Sequence, residues 1–79
     1  MKVSVQTIFE KLFDDEAREV VLPGEDGEFS VWDFHQPCLY SLERGLLRII
    51  PRKSQEFRLE IKRGIANIKP DSVVLIVEI

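Results

Sequence analysis

Cysteine, histidine, tryptophan and tyrosine each occur once among the 79 residues, as Cys38, His35, Trp32 and Tyr40. A single cysteine closes no internal disulfide and supplies neither a CxxC redox pair nor a zinc quartet. Its neighbours Pro37 and Leu39 are apolar, so Cys38 reads as a small buried hydrophobe. His35 stands nearby in sequence, but no third residue orients it as a base, which leaves no activated thiol. One histidine, with only Asp33 and Glu28 near it, also falls short of the ligand set that zinc or iron draws on.

A basic surplus is missing too: 11 lysines and arginines face 14 acids, for a net charge of −3. Nucleic-acid binding needs a basic stripe, and the best candidate, Arg48, Arg52, Lys53 and Arg58, is interrupted by Glu56 and Glu60. That pattern is a solvated mixed-charge surface. The longest apolar run is Val73 to Val77, far below the ~20 residues that span a bilayer. Met1 to Ile8 has one lysine and no apolar core, unlike a signal peptide. No direct membrane insertion is expected, and a cytoplasmic location is the default. Gly24-Glu25-Asp26-Gly27 lacks the lysine and the strand–helix context of a phosphate loop, and neither a nucleotide nor another cofactor is expected. The acid clusters Asp14-Asp15-Glu16 and Glu25-Asp26 lack calcium-loop spacing and read as wet surface.

What is present is alternation. Glu56 to Lys62 switches strictly between charged and apolar residues, placing Phe57, Leu59 and Ile61 on one core-facing side of a strand. Ser72 to Ile79 is rich in β-branched residues on both faces, which predicts a strand that is central or covered on both sides. Lys69-Pro70-Asp71-Ser72 is a turn, and Gly64 to Lys69 is the antiparallel partner before it. Glu19 to Leu22, Glu28 to Trp32 and Leu46 to Ile50 read as further strands, the first two joined by the turn Pro23 to Gly27. Val3 and Val5 suggest an opening strand, and Pro51 to Gln55 a loop. Several short strands with turns roughly every ten residues imply a sandwich or small barrel.

One stretch conflicts. Thr7 to Glu10 fits a capping box, and Phe9, Leu12, Phe13 and Ala17 have helical spacing. The competing reading is an extended connection with Asp14-Asp15 as its turn. Periodicity leaves both open. Trp32 reads as partly buried, and Tyr40 as an exposed aromatic, since both types serve cores and interfaces.

The block Val20 to Val31, with its Pro23-Gly24-Glu25-Asp26-Gly27 turn, resembles the N-terminal β-sandwich of F-type ATP synthase epsilon subunits. Phe34-His35-Gln36-Pro37 is similar to that family's GHAP-like segment. Leu39, Leu42 and Gly45 to Ile49 follow its LxxLxPGxLRI pattern. Leu12 to Ala17 and Gly64-Ile65 with Pro70 to Val73 match further pieces in order. The resemblance covers nearly the whole chain and turns Phe9 to Glu16 into a connection between strands. Departures are Asp33 where proline is common, Phe34 where glycine is usual, Gln36 for alanine, Arg44 for proline and Arg63 for glycine. A positive φ at position 34 would leave phenylalanine strained.

The resemblance implies an all-β, small antiparallel β-sandwich or flattened barrel formed by residues 1–79 as one domain, without the C-terminal helical hairpin of typical members. It implies a non-enzymatic rotor element that grips the gamma subunit and touches the c-ring loops, peripheral to the inner membrane, to couple proton flow to ATP synthesis. Carried onto this sequence, the interface residues are Glu28 and His35, with Pro37 shaping their loop, Tyr40 beside them and Thr7 toward the gamma-facing side. Asp33, Phe34 and Arg63 motivate the alternative, a diverged stand-alone interaction module.

Overall fold

A computed structural model describes all residues from Met1 to Ile79. The alternating pattern of Glu56 to Lys62 becomes the strand Phe57–Ile61 (β7), paired antiparallel with Gly45–Ile50 (β6) so that Leu59 lies opposite Leu47 and Phe57 opposite Ile49. The remaining strands are Lys2–Gln6 (β1), Lys11–Glu16 (β2), Glu19–Gly24 (β3), Gly27–Trp32 (β4), Cys38–Leu42 (β5), Arg63–Lys69 (β8) and Ser72–Glu78 (β9). They form a five-stranded sheet in the order β2-β1-β9-β8-β5 and a four-stranded sheet in the order β4-β3-β6-β7. No helix forms, and the fold is the all-β sandwich that the residue pattern suggested.

The two sheets face each other across a cluster of 16 buried apolar residues. Val3 and Val5, Val20 and Leu22, Leu47 and Ile49, and Val73, Leu75 and Val77 enter it at every second position, as strand geometry requires. Each such side chain contributes about 1.5–3 kcal/mol by leaving water. No polar or charged residue is buried among them, so the core carries no desolvation cost of that kind.

The edges are sealed by aromatic pairs. Phe13 on β2 meets Phe57 on β7 with ring centroids 5.0 Å apart, and Phe29 on β4 meets Tyr40 on β5 at 4.9 Å. Both pairs join an edge strand of one sheet to an edge strand of the other. The β3–β4 turn is shaped by the second pair: a Cβ on Gly24 would stand 2.8 Å from the Phe29 ring, and Gly27 has a φ of +116°. Glycine is needed at both positions, for space at the first and for backbone conformation at the second.

Several expectations are corrected. Phe9 to Glu16 is neither a helix nor mostly a connection between strands: Lys11–Glu16 is the strand β2, and Asp14-Asp15 lies inside it and forms no turn. The bend comes earlier, where the Thr7 Oγ1 accepts from the Phe9 and Glu10 amides at 3.1 and 3.2 Å. The capping signal is therefore real, but strand pairing with β1 follows it instead of a helix. The sandwich is not wholly antiparallel, because β1 runs parallel to β9. β9 is central, as its composition suggests, yet its outer face is not covered and Ile76 is about half exposed.

Cys38, expected to be buried, is exposed. It opens the edge strand β5, where no further strand covers it. Trp32, expected to be partly buried, is 56% exposed. It ends the edge strand β4 on the side opposite the buried Val31, with Glu19 as its cross-strand neighbour. Phe34 adopts a φ of 64°, a left-handed conformation that costs a non-glycine residue about 1 kcal/mol or more.

Candidate interaction surface

At the corner where β4 and β5 meet, the sandwich carries an open groove of about 610 Å³. The β3–β4 turn contributes Glu25 and Asp26, β4 contributes Glu28 and Phe29, the following loop contributes His35, and β5 contributes Leu39 and Tyr40. Glu28, His35 and Tyr40, far apart in sequence, thus line one concavity. Strand alternation turns Phe29 and Tyr40 toward each other under it. The lining holds three carboxylates and no lysine or arginine, so its potential is negative.

His35 contacts the Gln36 carbonyl through Nδ1 at 2.9 Å. A carbonyl only accepts, so Nδ1 carries the proton and Nε2 remains free as an acceptor in the neutral ring. Glu28 makes a loose pair with Arg48 at 3.8 Å, which leaves most of its acceptor capacity unused. The neighbouring Cys38 sulfur chiefly, and partial desolvation as well, hold Tyr40 above its ordinary value of 10.0, so it stays a neutral phenol in this setting.

Pro37 lies in the exposed loop between β4 and β5, outside the lining itself. Thr7 lies apart from the groove, in the β1–β2 turn. There it borders a smaller cavity of about 250 Å³ with Leu12, Val77 and Ile79. Its hydroxyl is committed to the turn amides, and it holds up Ile8 and Phe9, each 86% exposed.

A second surface was missed by sequence reasoning. On the outer face of the five-stranded sheet, Ile65 lies opposite Ile76, and Leu39 lies opposite Asn67 in the neighbouring register. Ser4, Gln6 and Ser41 complete a stretch without charge. Charges sit at its rim: Arg63 pairs with Glu78 at 2.9 Å, and Lys2 and Lys11 converge on Asp14 at 3.3 and 3.1 Å. Hydrogen bonds from Lys11 and Lys2 hold Asp14 below its ordinary 3.8, and Arg63 holds Glu78 below 4.5. An uncharged centre inside a charged rim is the anatomy of a protein contact face. The usable signal was the apolar residues at the outward positions of β8 and β9, which alternation alone marks as facing away from the core.

Asp33 ties the loop after β4 to the rest of the sandwich. Its Oδ1 accepts from the Met1 amino group at 2.7 Å, and its Oδ2 accepts from Arg52 at 2.9 Å. The Met1 ammonium chiefly, and Arg52 as well, lower its pKa below 3.8. No group of three His, Cys, Asp or Glu side chains is gathered to hold a metal ion. No helix is long and apolar enough to cross a membrane. The surface thus combines paired strands, exposed apolar side chains and a charged margin.

The chain is similar to known proteins. The family model for the ATP synthase delta/epsilon chain beta-sandwich domain matches residues 1–79. ATP synthase epsilon chain 2 of Ralstonia nicotianae is 33% identical over 78 residues, covering 99% of this chain and 56% of its own. The ATP synthase epsilon chain of Laribacter hongkongensis is 30% identical over 80 residues, covering 100% of this chain and 57% of its own. The chain spans about half the length of the curated relatives it matches.

Among solved structures, a chain from the central stalk/c-ring of Tetrahymena thermophila mitochondrial ATP synthase superposes with a TM-score of 0.82 at 15% identity, over 99% of this chain and 63% of that one. A chain from the Euglena gracilis mitochondrial ATP synthase gives 0.86 at 17% identity, over 95% of this chain and 48% of that one. At such identities the likeness is one of fold. With the family pattern matched from residue 1 to residue 79 and the two sheets arranged as that pattern requires, the chain belongs to the ATP synthase delta/epsilon chain beta-sandwich family.

Proposed function

We propose that this chain is a non-catalytic central-stalk element of an F-type ATP synthase. It docks on the gamma subunit and the c-ring loops and helps fasten the rotor, so that proton-driven rotation reaches the catalytic sites as torque. It works at the cytoplasmic side of the membrane, as a peripheral part of the complex, and residues 1–79 form one β-sandwich domain.

The observation that carries this reading is the convergence of Glu28, His35 and Tyr40 on one groove, close to the uncharged outer face of the five-stranded sheet. Leu39 joins the two: it lines the groove and stands on the outer face. A stalk contact needs a stiff scaffold with a complementary face, and the strand pairing with a fully apolar core supplies the stiffness. Torque transmission requires no nucleophile, base or metal. The acids at the groove suit basic partner loops, while Ile65, Ile76 and Leu39 suit an apolar partner surface.

The test is a binding titration against the gamma subunit of the same organism, with c-ring binding measured in parallel. Saturable one-to-one binding that weakens in His35→Ala and in Ile76→Lys supports the reading. Its absence, with both proteins folded, favours the free interaction module.

A further inference from the structure

The segment Trp32-Asp33-Phe34 carries two costs that packing of the Phe34 ring on the sandwich does not offset. Phe34 is 88% exposed and holds a left-handed φ of 64°. Its ring takes part in neither of the aromatic pairs that seal the sheet corners. Trp32, two residues before it, is 56% exposed. An exposed aromatic in an unfavourable backbone conformation points to a role outside the fold.

The segment is also immobilised. The Asp33 carboxylate is held by the Met1 amino group and by Arg52. The Phe34 amide donates to the Pro70 carbonyl at 2.9 Å, which joins the loop to the β8–β9 turn. An aromatic side chain on a backbone held in place in advance is what an energetic anchor at a protein contact requires. Aromatic anchors also lose little conformational entropy on binding.

We infer that Trp32 and Phe34 form a docking element that sets which gamma-type partner this chain accepts, with Phe34 entering an apolar pocket on that partner. The inference rests on the central-stalk reading above and extends it. Phe34 is followed directly by His35, which lines the acidic groove, so one partner surface meets both. That surface carries an apolar pocket for the ring, beside basic side chains that face Glu25, Asp26 and Glu28. Charge complementarity selects a basic protein segment as the occupant, since the groove lining offers no positive residue to an anionic one. Glycine at this position would fit the left-handed backbone better and offer no anchor.

The experiment compares wild type, Phe34→Gly and Phe34→Tyr for affinity toward the purified gamma subunit and for thermal midpoint. Phe34→Gly is expected to weaken binding by about tenfold or more, without lowering Tm, because glycine accepts the left-handed conformation. Phe34→Tyr keeps the ring and is expected to retain affinity. Affinity that falls while Tm holds separates an anchor from a merely structural residue. If wild type binds and Phe34→Gly binds equally well, the docking element is refuted and the central-stalk reading stands. If wild type fails to bind gamma at all, both fall together.

Discussion

The rings of Phe29 and Tyr40 lie 4.9 Å apart at 45°, and they join the edge strand of one sheet to the edge strand of the other. Tyr40 therefore has two duties in this fold. Its ring closes a corner of the sandwich while its exposed side faces the groove. Tyr40→Ala is expected to lose about 1–3 kcal/mol of stability, through lost burial and the lost aromatic contact. Tyr40→Phe keeps both. Urea unfolding of the two variants checks the difference, and only Tyr40→Phe is suited to testing the hydroxyl's part in docking.

The same ring pair constrains the β3–β4 turn. A methyl group on Gly24 would meet the Phe29 ring at 2.8 Å and the Gly27 carbonyl oxygen at 2.9 Å. Gly24→Ala should destabilise the sandwich by about 1–3 kcal/mol through overpacking. Chemical shifts or fluorescence near Tyr40 should move with it, because the Phe29 ring must shift to make room. An unchanged unfolding midpoint would mean that the turn yields freely.

Thr7 is placed to hold the β1–β2 tip. Thr7→Ala removes the oxygen that accepts from the Phe9 and Glu10 amides, at a cost of about 0.5–1 kcal/mol by analogy with helix N-caps. Thr7→Ser should restore it. Amide hydrogen exchange at Phe9 and Glu10 reads the effect directly: faster in the alanine variant, near wild type in the serine variant.

Acid should weaken the fold in a defined direction. Asp14 and Asp33 are held below 3.8 and Glu78 below 4.5 by the cations facing them. A depressed carboxylate pKa means that the unfolded chain binds protons first as pH falls. The stabilisation is therefore complete above the unfolded values and is lost as pH drops through the lower folded ones. Thermal midpoints should be flat with respect to these groups near neutrality and decline below about pH 4.5. Added salt should flatten the parts due to Asp14 and Glu78, whose ion pairs lie at the surface, more than the part due to Asp33, whose Met1 partner is buried.

The legible parts of this fold share a cause. β7 could be read because one face is buried and the other wet, so charge and apolarity alternate strictly from Glu56 to Lys62. The β3–β4 and β8–β9 turns could be read because glycine and proline leave few alternatives there. β5 could not be read: Cys38 to Leu42 has four exposed residues, and only Leu42 is buried. β2 was obscured for a similar reason, since an edge strand tolerates acids such as Asp14 and Asp15 that look like turn residues.

Long-range pairing leaves no local mark at all. The parallel match of β1 with β9 joins the two ends of the chain, and no window of sequence contains both. The groove was legible only through family resemblance, as Glu28, His35 and Tyr40 are separated in sequence and meet only when β4 and β5 are brought to one corner. The outer-face apolar residues were hidden in plain composition. Ile65 and Ile76 look like core residues until the strand alternation is fixed by their buried neighbours Ala66 and Leu75.

If this sandwich docks on the rotor, titration of the purified protein with the gamma subunit of its own organism reads that contact without intermediate steps. Saturable one-to-one binding is expected, weakening when His35 is changed to alanine or Ile76 to lysine, with the fold intact in both variants. Binding that is absent at high micromolar concentration, or that is indifferent to both substitutions, would contradict it.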